Sequence, residues 1–367
     1  AYNGTVIDLQ NGVNIGNDLV IDVSQTINVS TGTGTYSGQI SEFDDPSTIV
    51  KTGAGTLVLT NNDNSFGSGA DIKEGTLQVT ANHALGSGAI TLDGGTLQAG
   101  AANLVLPNTF IQFGADGGAI DTQAYNMTIS GTMTDIDATT GTFTKKGSGT
   151  LTITGTSGGN HYSTATEVAG GTLQAGATNI FSAKSAYTVD SGATLSLNGF
   201  NQEIGSLAGA GSVSLGAGTL TTGGTNASTT FSGGISGKGG LIKTGTGTFE
   251  LSGSNSFSGA TTVEAGTLMV TGSMDSSTVT VDSGATLAGT GSVGGFDAYG
   301  TVAPGKNAIG TLTVNGDASF ETGSTYAVEL NAAGDSDLIN ATGAVSIADG
   351  TNLSISKIGT GSLVLGT

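Results

Sequence analysis

The chain has 367 residues, of which 65 are glycine and 10% are charged, and its 28 acidic against nine basic residues give a net charge of −19. It contains no Cys, and every basic residue is a lysine, which excludes disulfide frameworks, thiolate metal sites and arginine clamps on phosphate. Because a polyanion is bound through clustered cations, this balance also excludes nucleic acid as a partner and disfavours an anionic membrane surface.

Short runs that alternate apolar and polar residues follow one another along the chain, divided by Gly, Asn and Asp. Clear examples are the Gly-Thr-Leu runs at 55–60, 75–79 and 95–99. Alternation predicts strands with one face in a core and the other, including Gln78 and Gln98, in water. The inward positions predicted for these three runs are Leu57, Leu59, Leu77, Val79, Leu97 and Ala99. Gly recurs too often for helices, since each one costs about 1 kcal/mol in a helix interior. The sequence therefore predicts an all-β protein.

A longer pattern occurs three times. It opens with Lys-x-Gly-x-Gly-Thr at Lys51, Lys145 and Lys243, passes an Asn-x-aromatic step, and closes with Gly-Thr-Leu. The Asn and aromatic positions are Asn64 and Phe66, Asn160 and Tyr162, and Asn255 and Phe257. Within each copy the two Gly-Thr runs lie about 20 residues apart, which is the length of one solenoid turn. A shorter Val-Asp-Ser-Gly-Ala-Thr-Leu unit occurs at 189–195 and 281–287.

These spacings predict how the strands assemble. Turns of three short strands stack so that each strand pairs in parallel with its equivalent and the leucines form one apolar column. The prediction is a right-handed parallel β-helix of about 15–18 turns that forms a single elongated domain. Three regions are expected: turns without the repeat signature over 1–41, repeat-bearing turns over 42–299, and C-terminal-type turns over 300–367.

The three copies resemble the passenger-associated transport repeat, also called the autotransporter-associated β-strand repeat. Segments at 300–305, 309–314, 323–330 and 335–339 resemble the late turns of the same passengers. The resemblance extends from about residue 42 to residue 367. It implies a passenger domain of a Gram-negative type V secretion system, located outside the cell or on its surface. It also implies a C-terminal outer-membrane β-barrel of the same protein, and the segment is expected to end before that barrel.

The leading expectation for function is an adhesin or a self-association factor. Its partners would be a host-cell receptor, a matrix protein, a glycan or neighbouring copies of the chain. Two alternatives remain open: a cleaved soluble effector that engages a host receptor, and a β-helix enzyme acting on glycans. The absence of Arg and the acidic charge argue against anionic sugar substrates, and we expect no enzyme. No run of about 20 apolar residues is present, so no membrane-spanning helix is expected.

Two serine motifs and one loop imitate catalytic or phosphate sites. Gly155–Gly159 matches the nucleophile elbow around Ser157, with His161 close by, but no helix follows. Ser336 lies in a Gly-Asp-Ser-Asp sequence that resembles the nucleophile of serine-protease passengers, except that Asp337 replaces a Gly. His83 is the only other histidine. The loop over 300–306 resembles a phosphate loop, but an Asn follows where Mg²⁺ needs a hydroxyl. We expect none of these to be functional.

Acidic clusters and tyrosines complete the candidates. Three groups of carboxylates could ligate Ca²⁺ through oxygen. They are Asp116 with Asp121, Asp135 and Asp137; Asp44 with Asp45; and Asp335 with Asp337. None follows a recognised loop spacing, so solvated corners are the favoured interpretation, and no metal or cofactor is expected. The candidate exposed aromatics are Tyr36, Tyr125 and Tyr162. Because Tyr162 aligns with Phe66 and Phe257, a structural role is favoured for it.

Overall fold

The computed structural model describes residues 6–44, 46–136, 141–155, 160–305 and 308–359. All regular structure in these ranges is β-strand. The chain divides into two compact units, residues 1–195 and 196–367.

The strands that begin in the first unit are short, mostly three to five residues long. They are β1 (Val6–Asp8), β2 (Asn14–Ile15), β3 (Leu19–Ile21), β4 (Gln25–Asn28), β5 (Thr33–Tyr36), β6 (Ile40–Glu42), β7 (Thr48–Thr52), β8 (Thr56–Leu59), β9 (Gly69–Ile72), β10 (Thr76–Val79), β11 (Ala89–Leu92), β12 (Thr96–Ala99), β13 (Leu104–Leu106), β14 (Phe110–Phe113), β15 (Gly117–Asp121), β16 (Met127–Ile129), β17 (Thr132–Asp135), β18 (Thr142–Lys146), β19 (Thr150–Ile153), β20 (Ala165–Val168), β21 (Thr172–Ala175), β22 (Ala186–Val189) and β23 (Thr194–Ser196).

Within the first unit these strands pair in parallel with their counterparts one turn along the chain. One ladder runs β1-β4-β7-β9-β11-β14-β17. A second runs β2-β5-β8-β10-β12-β15-β18-β20-β22. A third runs β13-β16-β19-β21, and β3 pairs with β6. Parallel pairing of every strand with its neighbour in the coil is the topology of a solenoid.

The apolar column of the first unit follows the predicted register. Leu57, Leu77 and Leu97 pair directly with one another across β8, β10 and β12, and all three are fully buried. The positions two residues further on, occupied by Leu59, Val79 and Ala99, are buried too. All six inward positions predicted from the alternation are therefore confirmed. Stacking like on like removes each side chain from water on both sides, which contributes roughly 2–3 kcal/mol for each buried leucine.

The second unit has the same construction. Its strands are β24 (Gln202–Ile204), β25 (Ser206–Gly209), β26 (Ser212–Ser214), β27 (Leu220–Thr222), β28 (Thr229–Phe231), β29 (Gly234–Ser236), β30 (Leu241–Lys243), β31 (Thr248–Leu251), β32 (Thr261–Val263), β33 (Thr267–Val270), β34 (Ser273–Val281), β35 (Thr286–Gly289), β36 (Ser292–Ala298), β37 (Thr301–Pro304), β38 (Thr311–Val314), β39 (Ala318–Phe320), β40 (Thr325–Leu330), β41 (Leu338–Ala341), β42 (Val345–Ile347) and β43 (Asn352–Lys357). Its main parallel ladders are β24-β27-β30-β32-β34-β36-β38-β41 and β25-β28-β31-β33-β35-β37-β40-β43.

The chain is thus an all-β parallel solenoid of about 15 turns, as the sequence predicts. Its corners are turned by glycines with positive φ and by a few asparagines, such as Asn103 and Asn226. The region boundaries drawn from the sequence at residues 41 and 299 remain a prediction.

Buried repeat corners and candidate binding surfaces

The Lys that opens each repeat copy is buried, although lysine is rarely found fully inside a protein. Lys51, Lys145 and Lys243 are 0–1% exposed. The cause is strand alternation: Ile49 and Lys51 both point inward from β7, and Lys51 stacks between Ile27 and Ile72 of the neighbouring turns. The aliphatic stem therefore belongs to the core, and only the ammonium group reaches the corner.

All three N–H donors of the Lys51 ammonium are used. They bond to the carbonyl oxygens of Thr52 at 2.8 Å, Gly53 at 2.6 Å and Glu74 at 3.1 Å. Two acceptors follow the lysine directly and the third lies on the next turn, so one cation ties two corners together. We call this arrangement, the lysine with its three carbonyl acceptors, the lysine corner. The other two lysine corners use the carbonyls of Lys146, Gly147 and Gly170, and of Thr244, Gly245 and Ala265.

Two glycines of the signature have no substitute at this corner. The Gly two residues after the lysine has positive φ in each copy, at 77° for Gly53. The Gly that opens the closing Gly-Thr-Leu run also has positive φ, and a Cβ at Gly75 would stand 2.4 Å from the Gly53 oxygen. At Gly171 and Gly266 the nearest backbone oxygens lie at 2.4–2.5 Å from such a Cβ. The position thus demands both glycine's conformation and its lack of volume.

The Asn of the repeat is also buried and links three successive turns. In the first copy, the side-chain oxygen of Asn64 accepts from the Ile40 amide at 2.8 Å, and the side-chain nitrogen of Asn64 donates to the Ala84 carbonyl at 2.8 Å. Asn160 accepts from the Met133 amide and donates to the Ile180 carbonyl. Asn255 accepts from the Ile235 amide and donates to the carbonyls of Gly253 and Ser273. An amide side chain suits this place because it donates and accepts at once.

The second copy differs from the others at its aromatic position. Phe66 and Phe257 are fully buried, whereas the second copy has Tyr162, whose hydroxyl lies 2.7 Å from that of Tyr187. Thr166 donates to the Tyr162 hydroxyl, and the Ser182 amide donates to that of Tyr187. The extra hydroxyl is thus satisfied inside the core, which avoids the cost of an unpaired buried donor. The predicted structural role of Tyr162 is confirmed by its burial.

The repeat signature marks a corner and not a particular face of the first unit. Lys51 lies on β7 in the first ladder, whereas Lys145 lies on β18 in the second. Both nevertheless form the same three hydrogen bonds. The signature therefore specifies local support between consecutive turns, and its Lys, Asn and aromatic side chains are buried in the interior.

Burial gives the lysine corner a distinctive pH dependence. It lowers the pKa of Lys145 from 10.5 to about 8, while the charge of Asp121 acts in the opposite direction. Between these two pKa values the unfolded chain binds more protons than the folded one, so the free energy of unfolding rises with pH. Relative to Lys145→Met, the parent protein should gain about 2 kcal/mol between pH 7 and 9.5.

Urea unfolding of both proteins across this range measures the gain. The range stops at pH 9.5 because burial raises the pKa of Tyr162 and Tyr187, whose ionisation in the unfolded chain would reduce stability above pH 10. The exposed Lys184→Met variant controls for the loss of one positive charge. A constant gap between the parent and Lys145→Met would contradict the prediction.

The structure corrects one candidate aromatic. Tyr36 was expected to be exposed, but it is 3% exposed, because it occupies an inward position of β5 and its hydroxyl donates to the Asn17 carbonyl. A tyrosine whose hydroxyl reaches a corner carbonyl can be buried without loss of a hydrogen bond. Tyr125 is 39% exposed and stays a surface candidate.

The acidic candidates mostly bind their own chain. Asp121 accepts from Gln98 and Gln123, while Asp135 accepts from the hydroxyls of Ser163 and Thr164. Asp335 accepts from the side chain of Asn331 in the same turn, and Asp337 is buried. Asp44 and Asp116 are exposed. Asp45 and Asp137 lie outside the described residues. Among the residues that the structure describes, no group of three or more acidic or histidine side chains could hold a metal ion.

The nucleophile candidates are not assembled into a site within the described ranges. His83 and His161 are both exposed, and neither imidazole is bonded to a carboxylate there. Ser336 lies in an exposed turn of the second unit. Ser157, together with residues 306 and 307 of the loop that resembles a phosphate site, lies outside the described residues.

Polar ladders occupy the outward faces. In the first unit Gln78 donates to Gln98 at 2.7 Å, and Gln98 donates to Asp121 at 2.9 Å, across three turns. Both Gln side chains point outward as predicted, although these bonds leave them only half-exposed. In the second unit a column of threonines pairs in register along one ladder: Thr248, Thr267, Thr286, Thr301 and Thr325. Such faces offer regularly spaced hydroxyl and amide groups to a partner.

A search of the described part of the chain finds no helix long and apolar enough to cross a membrane.

A parallel solenoid with interior corner signatures and polar outward ladders defines the class as a β-solenoid repeat protein. The passenger-associated-transport-repeat family matches residues 49–79, 143–175 and 241–270, which contain the three lysine corners. The chain is 35% identical over 182 residues to the adhesin BmaC autotransporter of Brucella suis biovar 1, covering 47% of this chain and 5% of that protein. It is 40% identical over 125 residues to an extracellular serine protease of Serratia marcescens, covering 34% and 12% respectively. No solved structure matches the chain.

The chain is therefore an autotransporter passenger segment with passenger-associated transport repeats, and it belongs to the cell surface or the secreted fraction. It spans only a small part of the length of these two relatives. Sequence reasoning missed the interior roles of Lys51, Lys145 and Lys243. The available signal was their fixed place, two residues before a Gly, in all three copies.

Proposed function

We propose that this segment belongs to an adhesin in which buried repeat corners support outward polar ladders that contact a partner surface. The observation that carries the proposal is that the interior and the outward face of the solenoid hold different sets of polar residues. The signature Lys and Asn are buried and bonded to backbone, so the repeats supply support, while Gln, Thr and Asp occupy the outward positions. Similarity to a protein named as an adhesin supports the same function.

The proposed partners are a host-cell receptor, a matrix protein, a glycan or neighbouring copies of the chain. Many weak hydrogen bonds along a regular ladder add up when several copies bind at once. Copies that each carry −19 repel one another at low salt, so contact between bacteria requires added salt or divalent cations. Delivery by an outer-membrane β-barrel of the full protein is part of this proposal, as is the absence of enzymatic activity.

The test displays the full protein on a bacterium that does not aggregate by itself. We expect either adherence to host cells or salt-dependent sedimentation, measured against the same bacterium with a version that lacks residues 42–299. Absence of both effects would contradict the adhesin. Turnover of a glycan by the purified protein would favour an enzyme, and effects of the released segment on host cells without bacteria would favour a soluble effector.

A further inference from the structure

A groove of about 200 Å³ lies on the outward side of β33, β35, β37 and β40 in the second unit. One methionine and three alanines form its floor. Met269, Ala288 and Ala303 pair in register on consecutive turns, and Ala327 lies on the next strand of the ladder. The outward positions on the two turns before the alanines hold the longer side chains of Glu250 and Met269, and the shorter alanines leave room for a foreign side chain.

One wall of the groove is fixed by Asp337, which is 3% exposed. Its Oδ1 accepts from the Gly310 amide at 2.8 Å and its Oδ2 accepts from the Glu329 amide at 2.8 Å. The Asp337 amide donates to the Glu329 carbonyl at 3.0 Å. Both carboxylate oxygens thus hold backbone, and Asp337 shapes the groove as a positioning residue.

Glu329 is the charged group that the groove leaves available. It is half-buried, and within the described part of the chain no side chain or amide donates to its carboxylate. Ser356 pairs with Glu329 across β40 and β43, and Ser354 lines the same end. The described lining residues include Glu329 and Asp337 but no Lys or His. An anion with hydroxyl neighbours and an apolar floor suits a long cationic side chain.

We infer that this groove receives a Lys or Arg side chain from a partner protein. The aliphatic stem lies on the alanine floor, and the cationic head bonds to the Glu329 carboxylate with the serine hydroxyls beside it. A volume of about 200 Å³ accommodates one such side chain, and the net charge of −19 attracts basic partners at a distance. This inference rests on the proposed adhesin function and names the chemistry of its partner.

The test uses a fluorescent, end-blocked peptide of alternating Ser and Lys, with a Ser-Gln peptide as its uncharged match. Every protein carries Lys306→Ala, because Lys306 follows Gly305 in sequence and its amine must not compete with the probe. We expect anisotropy to show binding of the lysine peptide alone. Glu329→Gln should weaken binding about tenfold, the loss typical of one charge-assisted hydrogen bond. Ala303→Leu, which fills the floor, should weaken it to a similar extent.

Glu264→Gln is the matched control, since it removes the same charge from an exposed position outside the groove. It should leave the affinity within about twofold, and thermal unfolding confirms that each variant folds. Equal weakening by Glu264→Gln, or binding of the Ser-Gln peptide with the affinity of the Ser-Lys peptide, would overturn the inference. Undiminished host-cell adherence by the Glu329→Gln protein would overturn it too, while leaving the adhesin function intact.

Discussion

Replacing Gly266 with Ala should lower the free energy of unfolding by about 3–5 kcal/mol. Gly266 has a φ of 65°, where a side chain costs about 1 kcal/mol or more. Its Cβ would stand 2.5 Å from the oxygens of both Gly245 and Gly247. The Gly245 oxygen accepts from the Lys243 ammonium, so relief of the clash displaces a lysine corner. Strain and the lost hydrogen bond therefore add together.

Gly284→Ala separates the two contributions. Gly284 has a φ of 86°, but a Cβ there would meet no atom within 4 Å. This control should cost about 1 kcal/mol, from backbone conformation alone. Urea unfolding measures both variants, and hydrogen exchange near Lys243 shows whether the loss is local. Equal destabilisation by the two substitutions would show that space at the lysine corner is not limiting.

Asn64→Ala is the second substitution with a large expected effect, about 3 kcal/mol. Truncation leaves the Ile40 amide and the Ala84 carbonyl without their partner in a place that excludes water. Each unsatisfied buried group costs about 1–3 kcal/mol, and the lost volume adds to this. The loss falls on three turns together because Asn64 connects the turns before and after its own.

Hydrogen exchange gives this second prediction a specific readout. The Ile40 amide loses its acceptor and should exchange at least tenfold faster in Asn64→Ala than in the parent protein. Asn17→Ala, at an exposed corner of the same unit, is the control and should change stability by less than about 0.5 kcal/mol. Unchanged protection at Ile40 would contradict the proposed linkage of turns.

The solenoid was predictable because its two periods are both visible in the sequence. Alternation of apolar residues assigns Leu57 and Leu59 to the interior, and the recurrence of Gly-Thr-Leu gives the length of one turn. The structure confirms both, since Leu57 and Leu77 pair directly. Local sequence suffices here because each strand pairs with the equivalent strand one turn away.

The roles of polar residues were harder to predict because burial overrides their usual preference. Lys51 has the inward position that alternation with Ile49 assigns, although a lysine is rarely buried in a protein. Lys51 can be buried because three carbonyl oxygens from two turns accept hydrogen bonds from its ammonium group. The sequence does not show that these carbonyls lie close together. Tyr36 was misassigned for the same reason, since the Asn17 carbonyl that satisfies its hydroxyl lies on another turn. The groove at Glu329 likewise depends on a turn that bends back to place Asp337.

The corners of the shorter Val-Asp-Ser-Gly-Ala-Thr-Leu unit differ from the lysine corners in one useful way. Gly192 and Gly284 have positive φ but open space around them. Added residues at these two points would project into solvent without disturbing the hydrogen bonds between turns. They are natural places for loop insertions during evolution, and an engineer could graft a foreign epitope there while the stacked turns remain intact.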